Sequence, residues 1–167
     1  MRILKTWILP IAFVGAIFAI DQFTKWLTVQ NMTLGQEIPL IDGVFSLLYI
    51  HNHGMAFGLF QGGRWIFIVV TMVILAFLIY YYTTLPKTRT GSALRVLLLI
   101  LLGGALGNFY DRLLHGYVVD MFFIRLINFP VFNMADIFVV VSVIILAILT
   151  IFSKDESPKK LKMPRKK

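Results

Sequence analysis

The chain contains no cysteine. That excludes a disulfide framework, a thiolate nucleophile and a cysteine-ligated metal cluster. Charge is scarce as well: Asp, Glu, Lys and Arg make up 14% of the 167 residues, against about a quarter in an average soluble domain. Only eight residues are acidic and three are histidine. No internal repeat and no low-complexity linker is evident. What is present in quantity is apolar: 59% of residues are hydrophobic, with a mean hydropathy of +0.84. These values predict a small multi-span membrane protein built as one domain.

Four long apolar runs stand out, at about 7–29, 65–85, 93–112 and 134–152. Each approaches the roughly 20 residues a helix needs to cross the hydrocarbon core. The third and fourth reach that length only through flanks that carry polar residues, Ser92 to Arg95 and Phe132 to Asp136. The basic residues set an expected orientation. Of the 16, Arg2 and Lys5 precede the first run, Lys87, Arg89 and Arg95 separate the second from the third, and seven follow the fourth. The excess of Lys and Arg on cytoplasmic loops then places both termini in the cytoplasm. Asp21, Glu37, Asp42, Asp111, Asp120 and Asp136 fall on or near the outer side. The net charge of +8 is therefore largely a matter of flanks and tail, and does not signal a nucleic-acid surface. The tail, 154–167, is expected to be disordered and attracted to anionic lipid headgroups. An RNA-binding tail is the rival reading, weakened because no aromatic side chain is interleaved with its charges. The N-terminus resembles a signal peptide, but only further spans follow, so residues 7–29 read as a retained first helix.

The predicted fold is thus an all-α membrane protein of four transmembrane helices, with a small extracytoplasmic β-like cradle and a second outer loop. Residues 1–153 form the membrane domain and 154–167 the basic tail. The cradle, about 30–63, has six glycines and Pro39 that oppose a long helix and two strand-like runs, Glu37 to Ile41 and Val44 to Ile50. The second loop, 113–132, mixes apolar residues with Asp120, Arg125 and Pro130. Both connections are apolar enough to predict partial immersion in the membrane interface.

Four polar constellations carry candidate chemistry. In Asp21-Gln22-Phe23-Thr24-Lys25, Asp21 and Lys25 are four apart and can pair on one helix face; this reads either as an interfacial salt bridge or as Asp21 orienting another part of the site. In Asn52-His53-Gly54-Met55-Ala56-Phe57-Gly58, Gly54 and Gly58 permit close backbone approach, and Asn52 can hold a substrate amide. His51 and His53 have only His115 as a further histidine, so local hydrogen bonding is a better reading than a metal site. In Gly103 to Arg112, Gly103 and Gly107 form a small-xxx-small face that lets another helix approach. Asn108, Asp111 and Arg112 follow on one side; Asp111 and Arg112 read as a cap on the helix end, Asn108 as a site residue. The fourth constellation is Asp120 with Asp136. Carboxylates at membrane depth cost several kcal/mol and usually mark function. Asn133 and Asp136 have cap-to-N3 spacing at the start of the last span, where the helix N-terminus favours a carboxylate. Asp120, in an apolar stretch, is pushed toward its protonated form. The two then supply an acid and a base for water attack on an amide. The plainer alternative is a helix cap at 136 and an interfacial loop residue at 120.

Asp21-Gln22-x-Thr24-Lys25, Asn52-x-Gly54-x-Ala56-Phe57-Gly58, Gly107-Asn108-x-x-Asp111-Arg112, Val118-Val119-Asp120 and Phe132-Asn133-x-Ala135-Asp136 occur in that order. Together they closely resemble the lipoprotein signal peptidases, the type II signal peptidases of bacteria, over residues 7 to 152. Any one motif is weak; five in order on a four-span plan are specific. The resemblance implies an intramembrane aspartyl endopeptidase of the bacterial plasma membrane, its active site toward the outer face. Its substrates would be diacylglyceryl-modified prolipoproteins, cut just before the lipid-modified lipobox cysteine. It implies Asp120 and Asp136 as the catalytic pair, with Asn52, Gly54, Asn108, Arg112 and Asn133 lining the site and Asp21 supporting its architecture. The match at Arg112 revises the purely structural reading of that residue. No metal or organic cofactor and no nucleic acid are implied; membrane lipids and a globomycin-type inhibitor are. Met121 departs from the pattern, standing where an aromatic residue is common, which is expected to alter packing beside Asp120 and not the chemistry. His53 and Met55 fill variable positions. Two other classes stand beside this reading. A small proton-coupled transporter or channel would spread its acidic residues along a path through the bilayer. A non-catalytic assembly factor would offer Gly103 and Gly107 to a partner.

Overall fold

The computed structural model describes residues 2–54 and 63–152, with side chains described from Trp7 onward. Met55, Ala56, Phe57 and Gly58 of the second motif, and the basic tail, lie outside the described residues. The element order is α1 (Arg2–Asn31), β1 (Glu37–Ile41), β2 (Phe45–Asn52), α2 (Arg64–Thr84), α3 (Arg89–Leu114), β3 (Val118–Ile124), a short 3₁₀ turn (Arg125–Ile127) and α4 (Met134–Phe152). All four α-helices are long and apolar enough to cross a membrane. Their outward faces carry exposed large side chains, including Leu9, Trp65, Val73, Phe77 and Ile151. In water these would be a liability; in lipid they are the solvent-facing surface.

Local chemistry sets the helix ends. Leu85 precedes Pro86 and takes an extended conformation (ψ 140°) that closes α2, as the ring of a following proline demands. Thr88 Oγ1 accepts from Gly91 N at 3.0 Å and opens α3, which lengthens this helix beyond the apolar run at 93–112. α3 is the central helix. Val14 of α1, Leu75, Leu78 and Tyr82 of α2, and Val139 and Leu146 of α4 join the core around its Leu98, Leu101 and Leu102.

Glycine decides how closely the helices meet. A Cβ at Gly103 would stand 2.6 Å from Ile17 Cβ and 3.1 Å from the Val14 carbonyl; at Gly104 it would stand 2.8 Å from the Ala135 carbonyl. Gly103 therefore faces α1 and Gly104 faces α4, with the backbones in near contact. The small-residue face is filled from within the chain, which removes its availability to an outside partner and with it the basis of the assembly-factor reading.

At one end of the helices lies a three-stranded antiparallel sheet, order β1-β2-β3. The first hairpin turns through Gly43 (φ +69°), a conformation that favours glycine. The third strand was not expected within the second outer loop: Asp120, for which an interfacial loop position was the plainer alternative, lies inside β3 and is paired across from Ile50. A register shift between Leu47 and Ile50 immediately precedes that pair. Such bulges re-aim side chains next to functional sites.

Candidate active site

Asp120 and Asp136 come together because the chain doubles back between them. After β3 the 3₁₀ turn ends at Asn128, in the left-handed region (φ 48°) that asparagine tolerates better than most residues. The returning strand then pairs Phe132 with Phe122: Phe132 N donates to the Phe122 carbonyl at 3.0 Å, and Phe122 N to the Phe132 carbonyl at 2.8 Å. That pairing sets Asn133 beside Asp120. One residue later α4 begins, with a reciprocal cap: Asp136 N donates to Asn133 Oδ1 at 3.0 Å, and Asn133 N donates to Asp136 Oδ2 at 3.1 Å. The cap-to-N3 spacing in the sequence is thus realised as a capping box.

Side-chain amides link the two carboxyl groups. Asn133 Nδ2 donates to Asp120 Oδ1 at 2.6 Å and to Asn108 Oδ1 at 3.0 Å. Asn108 Nδ2 in turn donates to Asp136 Oδ1 at 2.7 Å. From the sheet, Asn52 Nδ2 donates to Asp120 Oδ2 at 2.8 Å. Each carboxyl group thereby receives two donors. Asp120 and Asn133 are buried, at 1% and 0% exposure, while Asp136, Asn108 and Asn52 are only partly covered. The pair is therefore closed on the Asp120 side and accessible on the Asp136 side. Burial, and next the adjacent Asp136 carboxylate, push the Asp120 carboxyl up to about 7.

The other expected residues surround this core. Gly54 N donates to Asn52 Oδ1 at 3.0 Å, and the Gly54 carbonyl accepts from Arg112 Nη2 at 3.2 Å. The Arg112 guanidinium also lies 5.0 Å from the Phe67 ring centroid. Arg112 thus ties the exit of β2 to α3 and α2. Asp21 is fully buried within the protein, with Lys25 and Asp111 each 3% exposed. Lys25 Nζ pairs with Asp21 Oδ2 at 2.8 Å and with Asp111 Oδ2 at 2.9 Å. Asp21 Oδ1 accepts from Ala135 N at 2.9 Å, which caps the first turn of the helix bearing Asp136. Gln22 Nε2 joins Asp21 to Asp111 at 3.1 and 3.0 Å. The i, i+4 spacing signalled the Asp21–Lys25 pair, but nothing local signalled the reach of Gln22 and Lys25 to α3.

His51 lies within 2.8 Å of the Tyr49 hydroxyl and stacks on Tyr117 at 3.8 Å between centroids. Among the described residues no group of His, Asp and Glu is arranged to hold a metal ion. Met121 is 2% exposed and packs with Met32, Tyr49 and Val119. Among the described residues the buried charges gather at the sheet end of the helices and do not form a path along them, so transport is not favoured.

The chain is similar to known proteins in sequence and in fold. The family model described as Signal peptidase (SPase) II matches residues 13–152. Lipoprotein signal peptidases of Streptococcus pyogenes serotype M5 (strain Manfredo) and serotype M18 (strain MGAS8232) are each 39% identical over 132 residues, covering 79% of this chain and 86% of theirs. Two solved bacterial membrane enzyme structures, determined by the in meso method, are also similar. One superposes with a TM-score of 0.77 at 31% identity, covering 93% of both chains; the other with 0.75 at 30%, covering 87% of this chain and 94% of that one. The chain is a peptidase with membrane-spanning helices, and it belongs to the signal peptidase II family.

Proposed function

We propose that this protein is an intramembrane aspartyl endopeptidase that removes the signal peptide from diacylglyceryl-modified prolipoproteins, cutting just before the lipid-modified lipobox cysteine. The observation that carries the reading is the amide-bridged pair: two carboxyl groups on separate elements, each held by two donors and joined through Asn133 and Asn108.

The chemistry follows from the asymmetry of the pair. Asp136, partly exposed at a helix start, serves as the carboxylate base. Asp120, buried and pushed up to about 7, holds the proton near neutral pH. Asp136 takes a proton from a water as its oxygen bonds to the scissile carbonyl carbon. Asp120 gives its proton to the carbonyl oxygen. The resulting diol collapses, the C–N bond breaks, and the leaving amine of the cysteine takes the proton from Asp136, while the acid product returns one to Asp120. Asn52 and Asn133 hold Asp120 in register through the cycle, and Arg112 holds the exit of β2 through Gly54. In a site poor in water, such fixed donors act more strongly than in bulk solvent.

Both termini lie in the cytoplasm in this reading and the site faces the outer side. The substrate enters laterally from the outer leaflet with its acyl chains left in lipid, and a globomycin-type inhibitor competes at the same place. Mass spectrometry of the products tests the substrate class. The purified enzyme is expected to release an intact signal peptide and a chain starting at the lipid-modified cysteine, and to leave the unmodified prolipoprotein uncut. Equal cleavage of both would overturn the specificity.

A further inference from the structure

The buried Lys25 reaches beyond its ion pairs. Its ammonium has three donors and no acceptor, and each donor has one partner: Asp21 Oδ2, Asp111 Oδ2 and, at 3.1 Å, Asn108 Oδ1. The third partner matters for chemistry. A carboxamide has an acceptor end and a donor end, and an ammonium tolerates only the acceptor end against it. With Asn108 Oδ1 drawn to Lys25, Asn108 Nδ2 must point the other way, where it donates to Asp136 Oδ1 at 2.7 Å. Were the amide reversed, its oxygen would face Asp136, which then could be tolerated only as the neutral acid. Asn133 Nδ2 favours the same orientation of Asn108, but that amide is shared with Asp120 Oδ1.

We propose that Lys25 is a positioning residue of the reaction: it fixes the Asn108 carboxamide with its donor end toward Asp136, so that Asp136 is kept as the base. The same ammonium holds Asp21 and Asp111, whose other contacts are Ala135 N at the start of α4 and Val119 N at 3.4 Å in β3. One buried cation thus aligns a donor on Asp136 and ties together the two elements that carry the pair. The inference rests on Asp120 and Asp136 being the reacting groups.

The test is a double-mutant cycle of Lys25→Met with Asn108→Ala, read as single-turnover kcat and as KM on a diacylglyceryl-modified prolipoprotein. Misplacing a reacting group by about 1 Å costs on the order of 100-fold in rate. Lys25→Met is therefore expected to lower kcat roughly 10- to 100-fold with KM within about twofold of wild type. Added to Asn108→Ala, it should lower kcat far less than it does alone, because the two share the contact that orients Asp136. A purely structural lysine gives losses that multiply, and multiplying losses, or a wild-type kcat in Lys25→Met, overturn the proposal. Removing one partner of a buried ion pair is destabilising. If Lys25→Met does not accumulate, Lys25→Gln, which fits the space but falls one atom short of Asn108, enters the same cycle with the same expected and contrary results. Failure of the pair itself reads differently: Asp120→Asn or Asp136→Asn then cleaves at the wild-type rate. Multiplying losses with both of those inert remove only the role of Lys25.

Discussion

Gly107→Ala probes the join between the helices and the site most sharply. A Cβ there would fall against Asp21 Oδ2, 2.9 Å from Asp21 Cγ and 3.4 Å from Ala135 Cβ. Asp21 has nowhere to retreat, since Oδ1 is held by Ala135 N and Oδ2 by Lys25. Overpacking costs about 1–3 kcal/mol, and losing a hydrogen bond to a charged group costs about 1.5–3 more. The helix propensity of alanine returns only about 1 kcal/mol. The net loss is roughly 1.5–5 kcal/mol, and because the displaced carboxylate caps the helix bearing Asp136, cleavage should fall with it. Gly15→Ala is the matched control: nothing lies within 4 Å of its new Cβ, so only the propensity gain applies. The assay is thermal unfolding of each purified variant in detergent together with its cleavage rate. Gly107→Ala should unfold earlier than wild type and cleave slowly, while Gly15→Ala matches or exceeds wild type. A Gly107→Ala protein with wild-type unfolding and full activity would refute the close-approach reasoning.

Other outcomes follow from the same contacts. Asp120, pushed up to about 7, acts as the acid, so a pH–rate profile should fall as pH rises through about 7, and a flat profile from pH 6 to 9 would contradict that role. The sign for stability is the same: a carboxyl raised from 3.8 to about 7 on folding favours the folded state below about 4, and that contribution is lost as pH rises through 7, as pH-dependent unfolding would show. The Asn133 side chain donates to Asp120 and to Asn108 and accepts from Asp136 N, while that of Asn52 donates to Asp120 and accepts from Gly54 N, so Asn133→Ala, which unlinks Asp120 from Asn108 and removes the cap of α4, should slow cleavage more than Asn52→Ala, by about 10-fold or more; initial rates decide the order. Ser142 is 1% exposed and its hydroxyl has no hydrogen-bond partner among the described residues, so Ser142→Ala should leave unfolding unchanged or raise stability by up to about 1 kcal/mol, read from the unfolding temperature.

The parts of the fold legible in the sequence are those that lipid dictates locally. A backbone crossing hydrocarbon must satisfy itself within a helix, so four apolar runs translate into four helices whatever they pack against. The cap formed by Asn133 and Asp136 was legible for the same reason, since its partners are three residues apart. β3 was not. Val118 to Met121 are all buried, so the strand lacks the alternation that marks a half-exposed sheet. Its pairing with β2 also joins residues about 70 positions apart, such as Ile50 and Asp120. Lys25 fails the local test in another way. Its link to Asp21 follows from helix spacing, but its link to Asn108 spans 83 positions and exists only because Gly103 and Gly107 let α1 and α3 approach. The ordered motifs pointed to the residues of the site; only the fold shows which amide orients which carboxylate.

The most direct measurement of the central claim is the single-turnover cleavage rate of a diacylglyceryl-modified prolipoprotein by Asp120→Asn and Asp136→Asn, each purified and shown to unfold near the wild-type temperature. Both are expected to lose all detectable cleavage, since neither asparagine can carry the proton its position requires. Wild-type cleavage by either variant would contradict the assignment of Asp120 and Asp136 as the reacting pair.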